Sequence, residues 1–182
     1  TLHGIWFGAN ASNCTFTNCT IDGGIYYATG NTANTFTGNS FTGMGKNTNR
    51  IGAGAVSSIM SEGGNTVDLC GGTVTSEIIG GTISNDALWP GELCGTPAVY
   101  TMIDDGADTD ITVAGTSGPD SVTTWTVEAG ATIQVQEGQN LAINIGTNSV
   151  AGAMVLNGTA ALPILITSAA VSPARGDWEG VF

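Results

Sequence analysis

The densest set of hard oxygen donors in the chain is Asp104-Asp105-Gly106-Ala107-Asp108-Thr109-Asp110. Carboxylates at Asp104, Asp105, Asp108 and Asp110 are the kind of ligand that Ca²⁺ collects. The run departs from the EF-hand loop, because its glycine comes too early and no closing glutamate follows. A solvated turn is therefore the expected reading, with Ca²⁺ as the alternative and no other cofactor implied. Sulfur chemistry is open to Cys14, Cys19, Cys70 and Cys94. None of them forms a CxxC pair, and the single histidine, His3, does not complete a zinc set. Two disulfides made in an oxidising compartment are expected, with metal binding or buried thiols as alternatives. Cys14 and Cys19 flank one corner, and the spacing of Cys70 and Cys94 would let them bridge neighbouring repeats.

Carbohydrate cleavage makes sharper demands. A lyase needs carboxylates that hold Ca²⁺ against an acidic sugar, with a Lys or Arg base beside them. Here Lys46 and Arg50 share one loop and Arg175 stands alone. Glycoside hydrolysis needs two facing carboxylates. Asp104-Asp105 is the one adjacent acidic pair, and neighbours in a strand point to opposite faces. No catalytic residue is assigned, and an enzyme is not the expected reading. Three basic residues against 15 acidic ones leave a formal charge of −12, so nucleic acid and anionic membranes are not expected partners. No apolar stretch reaches the roughly 18 residues of a membrane span. A secreted, acidic, soluble protein is the expectation.

The elements that must position these groups are short strands. Thr15-Phe16-Thr17-Asn18-Cys19-Thr20-Ile21-Asp22-Gly23 aligns without a gap to Thr35-Phe36-Thr37-Gly38-Asn39-Ser40-Phe41-Thr42-Gly43. A weaker copy is read at Val56-Ser57-Ser58 with Gly63, and a fourth at Thr73-Val74-Thr75 through Gly81. Two-residue alternation puts the central apolar side chain inward and its polar neighbours outward. A repeat of about 20 residues built this way is the signature of strands stacked pass upon pass. No window shows helical periodicity. Residues 1–86 hold these repeats, with a polar loop from Met44 to Gly54 protruding between them. Residues 87–98, with Pro90, Gly91, Gly95 and Pro97, read as a linker, and strands resume over 99–182. There Val135 and Gly138 match Val155 and Gly158, which predicts that the early coil length governs this half too. Asn13 and Asn18, beside cysteines, read as corner residues, since asparagine tolerates the left-handed region and its amides stack in ladders.

The stretches Val127-Glu128-Ala129-Gly130-Ala131-Thr132-Ile133, Leu156 through Ser168, and Gly176-Asp177-Trp178-Glu179-Gly180-Val181-Phe182 resemble the right-handed parallel β-helix (pectate-lyase-like) regions of secreted bacterial surface proteins. Asn13-Cys14 and Asn18-Cys19 with Ile21 resemble a later coil of the same family. The resemblance implies an all-β fold, a right-handed parallel β-helix (β-solenoid), and is silent on activity. Relative to the family the order is permuted: late coils come first and opening coils last. The expected architecture therefore has ends open for head-to-tail stacking, with Leu2, Ile5, Trp6 and Phe7 at one contact and Trp178, Val181 and Phe182 at the other. The expected function is a structural subunit of an extracellular or cell-surface fibre whose partners are copies of itself. One unit of a longer tandem protein and a self-contained monomer are the alternatives. A surface solenoid that binds polysaccharide along one sheet is the second function. For it, Trp6, Tyr26 and Tyr27 are the aromatic candidates if they face outward, although Trp6 is expected in the core or the end contact. Two weaker readings complete the set: ice binding by the Thr-x-Thr pairs, and adhesion through Arg175-Gly176-Asp177.

Overall fold

The computed structural model describes residues 3–8, 11, 13–28, 34–42, 44, 49–60, 63–67, 76–93, 95–104, 110–115 and 121–182. About half of them lie in short strands gathered into parallel sheets. The longest sheet has seven strands, in chain order His3–Phe7, Gly24–Tyr27, Asn49–Gly52, Ser76–Ile79, Val99–Ile103, Thr132–Val135 and Leu165–Ser168. A four-stranded sheet joins Gly81–Ile83, Ile111–Val113, Ala142–Ile145 and Gly180–Val181, and a three-stranded one joins Ala87–Trp89, Thr123–Glu128 and Gly152–Asn157. From Ser76 onward the chain visits long, four-stranded and three-stranded sheets in turn, then returns to the long one. Parallel neighbours need such a long connection, because a hairpin joins only antiparallel strands. Among the described residues one strand pair is antiparallel, Glu92–Leu93 with Thr96–Pro97.

The first two passes obey the repeat seen in the sequence. Phe16 pairs with Phe36 and Ile21 with Phe41, equivalent positions of consecutive copies. Phe36 is fully buried while Thr15, Thr17, Thr35 and Thr37 face solvent. The Phe16 and Phe36 rings stack at 5.2 Å and 6°. Asn13 and Asn18 take positive φ, 58° and 55°. One pass above Asn18 the same corner is Gly38 (φ 63°), where a Cβ would sit 2.5 Å from Asn18 Oδ1. The stacked amides belong to other asparagines. Asn34 Oδ1 accepts from Cys14 N, and Asn39 Oδ1 from Cys19 N, both at 2.9 Å. Asn39 Nδ2 donates to Asn65 Oδ1 at 3.0 Å.

Above these passes four expectations are corrected. Val56 lies in a helix, Val56–Met60, after a 3-10 turn Ala53–Ala55. Val56, Ile59 and Met60 share one face of a helical turn, and the short polar–apolar alternation concealed that second period. The helix packs on the strands Thr35–Thr37 and Ala87–Trp89. The fourth copy at 73–75 lies outside the described residues. Second, segment 44–54 is no protruding loop where it is described. Met44 is buried, and Asn49–Gly52 is an interior strand of the long sheet. Buried Asn49 accepts from Ile25 N at 3.2 Å and donates to Met44 O at 3.0 Å.

Third, residues 87–98 are not a linker. Ala87, Leu88 and Trp89 pair with Trp125, Thr126 and Val127. Fully buried Trp89 lies 4.7 Å from the Trp125 ring and 4.8 Å from that of Tyr100. Tyr100 Oη donates to Pro90 O at 2.8 Å. The proline-glycine cluster makes a turn whose flanks are core. Fourth, the early coil length does not govern the second half. Val135 pairs with Met102 and Ser168 in the long sheet, and Val155 pairs with Thr126 in the three-stranded one, so the two valines are not partners. Their similar strings belong to different sheets, and alternation alone cannot choose a strand's partner.

Candidate functional site

Each polar or exposed group flagged by the sequence can now be placed. Asp110 Oδ1 accepts from Ala142 N and Oδ2 from Asn144 Nδ2, both at 2.8 Å. Both oxygens thus tie one strand to the next in the four-stranded sheet. Asp104 is half-buried at a strand end, and Asp105 and Asp108 lie outside the described residues. Among the described residues no three His, Cys, Asp or Glu side chains gather as a metal set. Against the expectation of two disulfides, none is found among the described residues, and Cys14 and Cys19 are thiols. The extended strand Thr15–Thr17 holds them apart by roughly 10 Å of backbone, beyond disulfide reach. Cys19 Sγ lies 3.4 Å from Thr17 O. Cys70 and Cys94 lie outside the described residues.

The residues expected at the two ends behave differently. Leu2 lies outside the described residues. Ile5 is half-buried, and Phe7 is almost wholly buried against Tyr27, ring centroids 4.5 Å apart. Trp6 is not in the core: it is 60% exposed on the outer face of the long sheet, stacked on Tyr26 at 4.5 Å. Tyr27, read as a candidate outward aromatic, points inward instead, and burial pushes its phenol above the ordinary tyrosine range.

At the opposite end Trp178 is half-buried, Val181 is 46% exposed and Phe182 68% exposed. Phe182 N donates to Ile143 O at 2.9 Å, and its carbonyl accepts from Ile145 N at 2.8 Å. The sequence missed Met154, Leu156 and Ile166, which complete this surface. Leu156 stands in register with Val127, Val181 with Ile143, Met154 with Trp125 and Ile166 with Ile133. All four partners are fully buried, yet Leu156 is 48% exposed and Met154 and Ile166 are half-exposed. Side chains that continue the core columns thus meet solvent one strand further on. The signal was present as alternation, but only the register identifies these residues as the edge of a core.

A second feature was also missed. Register links Trp6, Tyr26, Arg50, Glu77, Thr101, Gln134 and Thr167 into one row across all seven strands of the long sheet. Arg50 Nη1 donates to Tyr26 Oη at 3.0 Å, and the guanidinium lies 5.4 Å from that ring's centroid. Gln134 Nε2 donates to Thr101 Oγ1 at 2.9 Å. A groove of about 450 Å³ is lined by Glu77, Thr101, Ile103, Gln134 and Gln136. The steps along the row are unequal, so no fixed sequence period reveals it.

No protein-family model, curated protein or solved structure matches the chain.

Proposed function

We propose that the chain is a right-handed parallel β-helix that serves as a structural subunit of an extracellular fibre, its copies joined end to end. The observation that carries this reading is the edge formed by Met154, Leu156, Ile166 and Val181, whose register partners are all core. Fully burying one such side chain is worth about 1.5–3 kcal/mol. Several together offset a good part of the cost of association. Among the described residues, no strand lies beyond the edge strands Gly152–Asn157, Leu165–Ser168 and Gly180–Val181. A parallel strand from another copy is the template that satisfies such an edge. The complementary surface is the opposite edge, where half-buried Ile5 and Phe16 close the same kind of column. A contact between two different edges is heterologous and, unless it closes into a ring, propagates as a filament.

Light scattering and negative-stain electron microscopy across protein and salt concentration test this. Oligomers should grow with concentration, and added salt should favour them by screening the −12 charge on each copy. Leu156→Asp and Val181→Asp should return monomers with unchanged circular dichroism. A wild-type chain that stays monomeric at its solubility limit, or aspartate variants that assemble as well as wild type, overturns the reading.

A further inference from the structure

The two edge strands of the long sheet, His3–Phe7 and Leu165–Ser168, match each other position for position. On the inward face Ile5 and Phe7 stand at one edge, while Ile166 and Ser168 end the columns of Ile133 and Val135 at the other. On the outward face one row of register partners runs from Trp6 to Thr167. Tyr26 covers the Trp6 face turned toward the sheet, ring centroids 4.5 Å apart, and Arg50 holds Tyr26 by a hydrogen bond and a cation–π contact. The other indole face therefore points off the edge strand, and Trp6 is 60% exposed. At the opposite edge Leu165, 53% exposed, shares the outward face with Thr167. Sheet edges are commonly blunted by charge or proline. Neither of these strands carries Asp, Glu, Lys, Arg or Pro, in a chain of net charge −12. The register irregularity of the first strand lies between His3 and Ile5, outside the run from Ile5 to Phe7.

We propose that His3–Phe7 of one copy adds to Leu165–Ser168 of the next in a single register, Ile5 on Ile166, Trp6 on Thr167 and Phe7 on Ser168. Trp6 is its outward anchor, closing its indole face on Thr167 and Leu165 of the neighbouring copy. This inference rests on the end-to-end reading and adds to it the strands that meet, their alignment and a contact outside the core. The register continues each row of the sheet, inward side chains on inward ones and outward on outward. A slip by one residue would set Trp6 over a core column and turn Phe7 to solvent. A slip by two keeps the facing but moves the copy about 6.6 Å along the strands, off the exposed core at Met154, Leu156 and Val181. A strand of another protein could pair with either edge, but a copy of this chain brings an edge whose facing matches residue by residue. An aromatic ring buried at the rim of such a contact is the kind of side chain that carries a large share of binding energy.

Disulfide trapping on the full chain tests the register. Copies carrying Ile5→Cys are mixed with copies carrying Ile166→Cys under mild oxidation, and the linked peptides are mapped by mass, which separates them from any link through the native cysteines. Paired residues of a parallel ladder lie within disulfide reach, so positions 5 and 166 should link. Ile5→Cys with Ser168→Cys should not, because two residues along the neighbouring strand the Cα atoms are roughly 8 Å apart. Trp6→Ala should raise the concentration needed for assembly about tenfold or more with unchanged circular dichroism, and Trp6→Phe should recover part of that loss. Thr82→Ala, on the four-stranded sheet, should assemble as wild type. Oligomers that form without the link between positions 5 and 166, a link from 5 to 168 instead, or Trp6→Ala copies that assemble as wild type overturn this inference and leave the end-to-end reading standing. A wild-type chain that never assembles removes both.

Discussion

The early and late passes of this chain reach the same parallel sheet by different means. Between Asn13 and Thr42 the passes are short and equal, the corners are Asn13, Asn18 and Gly38 in left-handed conformation, and buried amides tie pass to pass. Between Ala87 and Ser168 the passes are longer, running from Val99–Ile103 to Thr132–Val135 and on to Leu165–Ser168 in the long sheet. Their interior is held by Trp89, Tyr100 and Trp125. Aromatic side chains fill both interiors, Phe7, Phe16, Tyr27, Phe36 and Phe41 in the early passes as much as the tryptophans in the late ones. What sets the early passes apart is the corner amides that repeat from one pass to the next. Sequence repetition is visible only where the first device operates.

Breaking the late device should cost most. Trp125→Ala removes a fully buried indole from contact with Trp89 and is expected to lower stability by about 3–5 kcal/mol, read from urea denaturation midpoints. An unchanged midpoint would mean that the aromatic cluster does not hold the late passes together. Breaking the early device should cost less. Asn39→Ala strips the acceptor from Cys19 N and the donor from Asn65 Oδ1, with an expected loss of about 1–3 kcal/mol. Native-state hydrogen exchange should localise that loss to residues 13–67. Uniform loss along the whole chain would show that the two regions open as one.

The smallest effect near neutral pH sharpens the comparison from both sides. Tyr27 among the early passes and Tyr100 among the late ones both have phenols raised above their ordinary range, burial being the first cause in each; the Glu128 charge adds to it at Tyr100. A raised folded value means that the folded state keeps its protons while the unfolded chain loses them. Their contribution is therefore intact below the ordinary tyrosine value of about 10 and falls as pH rises beyond it. Thermal midpoints should be flat, as far as these phenols are concerned, up to about pH 9 and drop above it. Tyr27→Phe and Tyr100→Phe should each blunt the drop; identical alkaline profiles in both variants and wild type would refute the assignment.

Much of the early architecture was legible in the residues themselves. Thr-Phe-Thr recurs with its neighbours in place, so inward Phe36, outward threonines and the Asn18 corner all follow from two-residue alternation and the tolerance of asparagine for positive φ. Val56 misled because three residues of alternation fit a strand and a helical turn equally well. Trp89 was hidden by the prolines and glycines around it, which mark a turn without saying how deep its flanks lie. Val135 and Val155 share a local pattern, but Val135 lies between Met102 and Ser168 in the long sheet while Val155 pairs with Thr126 in the three-stranded one. The outward row was illegible for the same reason: side chains separated by unequal steps become neighbours only once the strands are paired.

Composition, charge and alternation by themselves determined a β-rich chain with polar corners, short strands and an acidic surface, because each of those properties is set within a few residues. Strand partnership, the depth of Trp89, the outward placement of Trp6 and the exposed continuation of the core at Leu156 and Val181 were decided by tertiary structure alone. Each depends on which distant segment lies about 4.8 Å away across a ladder, and hydrogen bonds between parallel strands are indifferent to the length of chain that separates them.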